Sequence, residues 1–317
     1  MKIDQDIALL IDGNALMHRA YHAVKFAPTY NNQPFGMVYG FTSSLLNTIN
    51  FFTPKYCVVA FDTKEKTFRH EMDKNYKAQR SKAPDDFYPQ LIHIDEMLET
   101  LSIPVIRKPG FEADDIIGTL ALKAEKSDFH SIILSHDMDY TQLMSDRVTL
   151  CRSIGKIDDS VLVTPKMVLE KYGLPPEKIV DFKAIVGDSS DNYKGVEGIG
   201  PKGALDLMLE FGDLETILKN ISSLPEKFRK KIEGNEAYVR HCQILARIET
   251  SVPIDFDYHA SELIPLFGSL AQLCEKWGFL TLKSRVQKIS SLYEASSEFE
   301  QINSSTNSNN RDQMILF

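Results

Sequence analysis

Ile7-Ala8-Leu9-Leu10-Ile11-Asp12 decides the fold: five apolar residues in a row, closed by a carboxylate and followed by Gly13. A short continuous apolar run bounded by turn signals reads as a strand buried on both faces, as in a parallel sheet covered by helices. The same chemistry recurs further along. Cys57-Val58-Val59-Ala60-Phe61 runs into Asp62, and Ile132-Ile133-Leu134 leads to Asp137 and Asp139. Strands are expected over 7–11, 57–61, 103–106, 131–134 and 147–151, and amphipathic helices over 36–52, 86–101 and 112–126. Such alternation favours an α/β fold with a mostly parallel sheet between helices. From about Thr164 the chain reads as a helical cluster with one short strand near 252–256.

Ligands of parallel sheets collect outside the carboxyl ends of the strands. Asp12, Asp62, Asp137 and Asp139 stand there. Glu112, Asp114 and Asp115 follow Gly110 and open a helix, while Asp188 and Asp191 lie in Gly187-Asp-Ser-Ser-Asp-Asn192. An acid at a strand end is commonly a turn former, and one in a first helical turn commonly answers the helix dipole. Asp85 and Asp86, beside Pro84, read that way, as a helix cap. For the other nine, four apolar segments ending in the same chemistry make coincidence a poor account. Asp137 and Asp139 are two apart, so an extended backbone turns both to one face. Converging carboxylates need cations between them, and hard oxygen donors suit two Mg2+ or Mn2+ ions. The pattern is that of a two-metal phosphodiesterase.

Composition sets the frame. With 317 residues, 43% hydrophobic and 25% charged, the chain is long enough for two globular domains and a tail. The formal net charge of −8 includes the clustered acids, so it does not argue against a polyanionic partner. Between Lys66 and Lys82, six basic residues face only Glu71 and Asp73, a local surplus of four. Cys57, Cys151, Cys242 and Cys274 are widely spaced and read as small buried residues of a reducing compartment. No apolar run is long enough to span a bilayer, and the N-terminus lacks a signal-peptide pattern. A cytoplasmic monomer is expected.

Gly195-Val-Glu-Gly-Ile-Gly-Pro-Lys-Gly203 sits between two helical stretches, with Pro201 placed to begin the second. Free N–H groups at a helix start can hold a phosphate, and Gly198 and Gly200 would let it approach the backbone. Gly200 is expected at positive φ, with K+ or Na+ bridging hairpin carbonyls to the phosphate. The insertion over about 63–90 places Phe68-Arg69-His70 near Tyr76, Lys77 and Arg80. Lys77 and Arg80 would share one face of a helix. Rings and cations so placed can stack a base and clamp a phosphodiester.

In order and spacing, Leu10-Ile-Asp-Gly-Asn14, Val59-Ala-Phe-Asp62, Phe68-Arg-His-Glu71, Tyr76-Lys-Ala-Gln-Arg80 and Phe111-Glu-Ala-Asp-Asp115 resemble the 5′ nuclease family. Ile133-Leu-Ser-His-Asp-Met-Asp139, Gly187-Asp-Ser-Ser-Asp-Asn192 and Gly198-Ile-Gly-Pro-Lys202 continue the resemblance. The family comprises the 5′–3′ exonuclease domains of bacterial DNA polymerase I with phage and flap endonuclease relatives, and the likeness covers roughly 7–290. It implies a PIN-like nuclease domain over 1–175 and a helical arch from the insertion. It also implies a C-terminal helix-three-turn-helix domain over 176–292, with its helix-hairpin-helix at 195–203. Carried over by motif, Asp12, Asp62, Glu112 and Asp114, with Asp115 close by, would hold one metal. Asp137, Asp139, Asp188 and Asp191 would hold or orient the second. Lys77 and Arg80 would stabilise charge on the scissile phosphate and Tyr76 would stack on an unpaired nucleotide. Arg19, Arg69, Gly198, Gly200 and Lys202 would contact DNA phosphates.

Two departures stand out. His136 replaces the family's usual small residue, and Tyr193-Lys194 its usual Ile-Pro. The expected activity is that of a free-standing structure-specific 5′–3′ exonuclease and flap endonuclease. Its substrate would be DNA with a 5′ flap, nick or 5′ end in replication and repair. The alternatives are a catalytically weak DNA-structure-binding protein, which the full acid set disfavours, and a PIN-type ribonuclease, which the long insertion and hairpin disfavour. The stretch 293–317 is Ser/Asn-rich and expected to be disordered. It ends in Gln313-Met-Ile-Leu-Phe317, which resembles a sliding-clamp-binding peptide anchored by Gln313, Leu316 and Phe317.

Overall fold

Along the chain, β1 (Ile7–Asp12) runs straight into α1 (Gly13–Ala23). A small hairpin of β2 (Thr29–Tyr30) and β3 (Gln33–Pro34) precedes α2 (Gly36–Phe52), and β4 (Tyr56–Ala60) leads into the insertion. There α3 (Phe68–Met72) is followed by α4 (Leu91–Thr100), β5 (Val105–Ile106), α5 (Ala113–Lys126) and β6 (His130–Leu134). The sheet ends with β7 (Val148–Cys151) and β8 (Leu162–Val163). Helices α6 (Pro165–Tyr172), α7 (Ile179–Val186), α8 (Pro201–Phe211) and α9 (Leu214–Lys219) come next. Then follow α10 (Glu226–Ile232), α11 (Glu236–Ala246), α12 (Phe267–Lys276) and a helical stretch over 280–291. The structure, a computed structural model, describes residues 3, 5–23, 28–152, 157–158, 161–263 and 266–291. The tail residues Gln313, Leu316 and Phe317 lie outside the described residues.

The six-stranded sheet has the order β5-β4-β1-β6-β7-β8, parallel throughout except for the antiparallel β8. Its apolar strands are stable because both faces are covered. Leu9, Ile11, Cys57, Val59, Ile132 and Leu134 share one cluster with residues of α1, α2, α4 and α12. Their strand neighbours Ala8, Leu10, Val58, Ala60 and Ile133 share another with residues of α5. That is the two-residue alternation of a pleated strand, with each fully buried Leu or Ile stabilising by about 1.5–3 kcal/mol. A third cluster joins α7, α8, α9, α10 and α11. Because the chain leaves β1 for β4 on one side and returns to β6 on the other, the crevice lies at the carboxyl end of β1.

Several expectations meet a different structure. Residues 252–256 form no strand; Pro253 lacks an N–H, and the segment instead packs along α5, where Lys123 Nζ donates to the Ile254 carbonyl at 2.7 Å. The insertion carries the five-residue α3, a run of turns over 74–79 and one 3-10 turn at Tyr88–Gln90, so Lys77 and Arg80 share no helix. Phe267, Leu270, Trp277, Leu282 and Val286 bury themselves in the sheet's cluster, so the last helices return to the α/β layer. All four cysteines are buried, and among the described residues none is in a disulfide.

Candidate active site

Strand ends deliver the first carboxylates. Asp12 closes β1, its Oδ1 accepting from the Ala15 N–H at 2.9 Å. Its Oδ2 accepts from Ser135 Oγ at 2.9 Å and from Tyr140 OH at 3.2 Å. Burial, with repulsion from Asp62 and Asp137, pushes the Asp12 carboxyl up to about 6. Asp62 stands two residues past β4; its N–H donates to Asn14 Oδ1 and its Oδ1 accepts from the Ala113 N–H, both at 2.8 Å. Although Asp62 reaches solvent, the protein around it and then Glu112 raise its carboxyl above the usual range.

Helix α5 supplies the next three, because acids in a first turn answer its free N–H groups and its dipole. Glu112 precedes it and accepts from Tyr76 OH and Lys77 Nζ, each at 2.9 Å. Burial works against the Glu112 charge, but Lys77 and Arg69 outweigh it and hold the carboxyl below its ordinary value. Asp114 has the opposite fate. Its Oδ1 is sealed from solvent with no hydrogen-bond partner among the described residues, and burial followed by Asp115 drives its carboxyl well above the usual range. An unsatisfied buried oxygen costs about 1–3 kcal/mol, more when charged, and a cation is the partner that chemistry asks for.

A second group forms where β6 meets α7. The Asp139 N–H donates to Asp137 Oδ1 at 2.9 Å. Lys183 Nζ bonds Asp139 Oδ1 and also reaches Asp188 Oδ2 at 2.7 Å. Burial raises the Asp139 carboxyl, whereas at Asp188 the Lys183 ammonium overcomes burial and lowers it. Asp191 accepts from Arg80 at 2.9 Å and from Tyr76 OH at 3.2 Å, and burial raises it. Lys183 is a residue the sequence reading missed; its signal was one cation within the otherwise apolar Ile179–Val186 apart from Asp181. Asp188 and Asp191 are presented by a tight loop closed by the paired backbone bonds of Asp188 and Tyr193, 2.8 and 3.1 Å. Gly187 (φ 85) and Gly195 (φ 62) cross there so closely that a Cβ on Gly187 would lie 2.4 Å from the Lys194 carbonyl carbon.

The insertion rests on this loop. The Lys77 N–H donates to the Asp191 carbonyl at 3.1 Å, Gln79 Nε2 to the Ser189 carbonyl at 2.8 Å, and Asn192 Nδ2 to the Asn75 carbonyl at 2.8 Å. Lys77 and Arg80 thus face Glu112 and Asp191. Among the described residues no three His, Cys, Asp or Glu side chains converge closely enough to cage an ion as they stand. The ammonium and guanidinium groups lie between them.

Four assignments change. Tyr76 is buried (3% exposed) with its hydroxyl on Glu112 and Asp191, so its ring has no face to offer a nucleotide. Arg69 is 1% exposed and contacts no open surface. Its guanidinium grips Asp115 at 2.8 and 2.7 Å and donates to the Leu245 and Arg247 carbonyls at 3.2 and 2.5 Å. Asp115, fully buried, accepts also from the Glu112 and Glu249 N–H groups. With the Arg69 guanidinium on both its oxygens and no exposure, it anchors Arg69 and not a metal. Gly200 has φ −86, which any residue adopts, whereas Gly198 has φ 79. The Gly198 carbonyl already accepts from Lys231 Nζ at 2.6 Å.

Arg19 and Lys202 are exposed. Asp86 accepts from Tyr21 OH at 2.6 Å and caps no helix through its side chain. His136 lines a cavity of about 350 Å3 with Asp137, Asp139, Lys183 and Asp188. Burial, Arg19 and Arg152 push its imidazole down to about 4. Tyr193 is buried in the helical cluster, and the Lys194 N–H donates to Tyr238 OH at 3.3 Å.

Residues 7–173 match the family described as 5′–3′ exonuclease, N-terminal resolvase-like domain, and residues 174–266 match 5′–3′ exonuclease, C-terminal SAM fold. The chain is 43% identical over 253 residues to a thermostable DNA polymerase I of Thermus filiformis, covering 80% of this chain and 30% of that protein. With DNA polymerase I of Bacillus subtilis it shares 36% over 307 residues, covering 94% and 34%. The chain thus spans about a third of the length of these curated relatives. In fold it is similar to the T5 D15 protein co-crystallized with metal ions (TM-score 0.66, 20% identity, 90% of this chain and 99% of that one). It is also similar to the catalytic core of Rad2 in complex with DNA substrate (TM-score 0.57, 17% identity, 90% and 92%).

Proposed function

The chain belongs to the 5′–3′ exonuclease family, and from that membership we propose that it is a divalent-metal-dependent nuclease cutting DNA at a 5′ end, nick or 5′ flap. One observation carries the proposal: carboxylates gathered at the carboxyl ends of the central strands, with Asp114 Oδ1 buried and unpartnered. The donors are all hard oxygens, which fits Mg2+ or Mn2+. Asp12, Asp62, Glu112 and Asp114 would hold one ion; Asp137, Asp139, Asp188 and Asp191 would hold or orient a second. Bound there, divalent ions supply Lewis acidity and a water of lowered pKa.

The chain's own groups do the rest. Lys77 and Arg80, now on Glu112 and Asp191, would turn to the scissile phosphate and stabilise charge developing on it. Lys183 keeps Asp139 and Asp188 together. Gly198, Gly200, Lys202 and the free N–H groups at the start of α8 would take duplex phosphates, as would Arg19. A potassium ion at the hairpin would compete with Lys231 for the Gly198 carbonyl. The division into 1–175 and 176–292 assigns chemistry to the first part and duplex grip to the helical cluster of the second, whose last helices pack back on the sheet. Cleavage should leave a 5′-phosphate and a 3′-hydroxyl. A 5′-labelled flap duplex should be cut with magnesium and remain intact with chelator; a duplex untouched under both conditions contradicts the proposal.

Metal binding should be pH-linked. Asp12, Asp62, Asp114, Asp139 and Asp191 all have raised folded values, so the metal-free fold loses stability as pH rises through about 6, the Asp12 value. His18 and His136, both lowered, run the other way as pH rises toward 6.5. The readout is therefore the increase in Tm that magnesium produces, not Tm itself. That increase should be larger at pH 7.5 than at pH 5, where the ion must displace protons. An equal increase at both pH values would argue against these ligands.

We also place the chain in the cytoplasm as a monomer; among the described residues no helix is long and apolar enough to cross a membrane. Gln313, Leu316 and Phe317 are proposed to seat in a sliding clamp, with the Ser/Asn stretch as tether. Deleting 313–317 should abolish retention on the cognate clamp without altering flap cleavage; unchanged retention would exclude the contact.

A further inference from the structure

We infer that the cavity of about 420 Å3 at the far end of α5 binds a 5′-nucleotide, an aromatic base carrying a phosphate. It lies between the last turn of α5 and the segment over 256–259. Phe129 and His259 of its wall both pack on Tyr56, the first residue of β4, so the cavity is at the amino ends of the strands. The carboxylate site is at their carboxyl ends. Asp114 and Lys126 stand at opposite ends of α5, about 18 Å apart along its axis.

The walls set rings against cations. Between ring centroids, Phe129 is 4.7 Å from Tyr56 and 5.5 Å from Tyr258, and Phe256 is 5.2 Å from Tyr258. Tyr258 is itself fixed, its hydroxyl donating to the Leu120 carbonyl at 2.7 Å. Phe129 and Phe256 are only half-buried, so each keeps part of its ring open to the cavity. Lys123 and Lys126, three apart on α5, reach it from the other side. Lys123 is held by the Ile254 carbonyl at 2.7 Å, but Lys126 is exposed and, among the described residues, pairs with no carboxylate. Asp128, two residues on, is engaged by Arg147 at 2.6 Å. Asp257 brings the one negative charge among the lining residues and accepts from the His259 N–H at 3.0 Å. A lysine in a last turn answers the helix dipole. A lysine that also faces half-open rings across a cavity can hold a phosphate while the rings take its base. The volume falls within the range of pockets that enclose small ligands, roughly 300–1,000 Å3. A 5′-nucleotide is also what stepwise 5′–3′ hydrolysis releases, so the ligand's source rests on the nuclease reading while the binding does not.

Calorimetry on the full chain with chelator present is the test, with dAMP, deoxyadenosine, inorganic phosphate and a 5′-phosphorylated deoxyadenosine tetramer as probes. In the parent, dAMP should bind about tenfold more tightly than deoxyadenosine or phosphate, since rings and ammonium then act on one molecule. Lys126→Glu, a change at an exposed position, should weaken dAMP about tenfold and leave deoxyadenosine as it was. Phe256→Ala should weaken both. Asp139→Asn should bind dAMP as the parent does, and Lys126→Glu should cut a 5′ flap at the parent's rate. A tetramer weakened by Lys126→Glu as dAMP is makes a strand end an occupant too; a tetramer insensitive to it leaves the free nucleotide, and either result supports the site. No binding of dAMP by the parent at millimolar concentration, or binding that Asp139→Asn removes and Lys126→Glu keeps, would overturn the assignment. A chain that binds dAMP here and never cuts DNA counts against the nuclease reading alone.

Discussion

Asp114→Asn is expected to lower the single-turnover rate of flap cleavage about a thousandfold, the several kcal/mol that a metal's charge stabilisation supplies. The same variant should be more stable than the parent when metal is removed. In the metal-free fold the Asp114 carboxylate is a cost: Oδ1 has no partner, and burial and Asp115 both oppose its charge. Asparagine keeps the shape and removes the charge, so the gain should be about 1–3 kcal/mol at pH 7.5. Flap binding in calcium should change far less, since affinity rests mainly on phosphate contacts elsewhere. Stopped-flow cleavage and urea denaturation with chelator read the two effects. A variant less stable than the parent without metal would mean that Asp114 is a structural residue.

Arg69→Met is expected to be the most damaging change for the fold, costing about 3–5 kcal/mol, because it leaves the Asp115 charge buried without its partner. Arg69 joins α3 to Asp115 of α5 and to the chain leaving α11 through the Leu245 and Arg247 carbonyls. Its loss therefore loosens the insertion, the site helix and the helical cluster together. Arg69→Met/Asp115→Leu should recover a large part of the loss, as replacing a whole buried pair by apolar groups often does. If Arg69→Met unfolds at the parent's urea midpoint and only weakens DNA binding, Arg69 is a phosphate contact after all.

The strands and the acids at their ends were legible because the apolar run of β1 and its recurrence in β4 and β6 are local signals. The parallel order follows from them. Helix α1 was not read, since Gly13 and Asn14 are poor helix formers and the helix starts directly from the strand. The alternation of 252–256 resembled a strand, but its partner is a helix. Roles set by distant residues were the least legible. Arg69 reads as surface charge, and only partners 43 to 178 positions away make it a buried anchor. Tyr76 reads as a stacking ring, and its hydroxyl partners lie 36 and 115 positions on. Lys183 belongs to the site only because α7 lies beside β6's end. Asp115 shows the limit of motif reading: one residue from Asp114 in sequence, it faces Arg69 instead of the cleft.

The most direct test of the whole account is the magnesium dependence of single-turnover cleavage on a 5′-flap duplex. Two ions acting together predict a rate that rises with about the square of free magnesium below saturation and falls to background with chelator. Cleavage that persists without metal, or a protein that binds the flap and never cuts it at any magnesium concentration, would contradict the account.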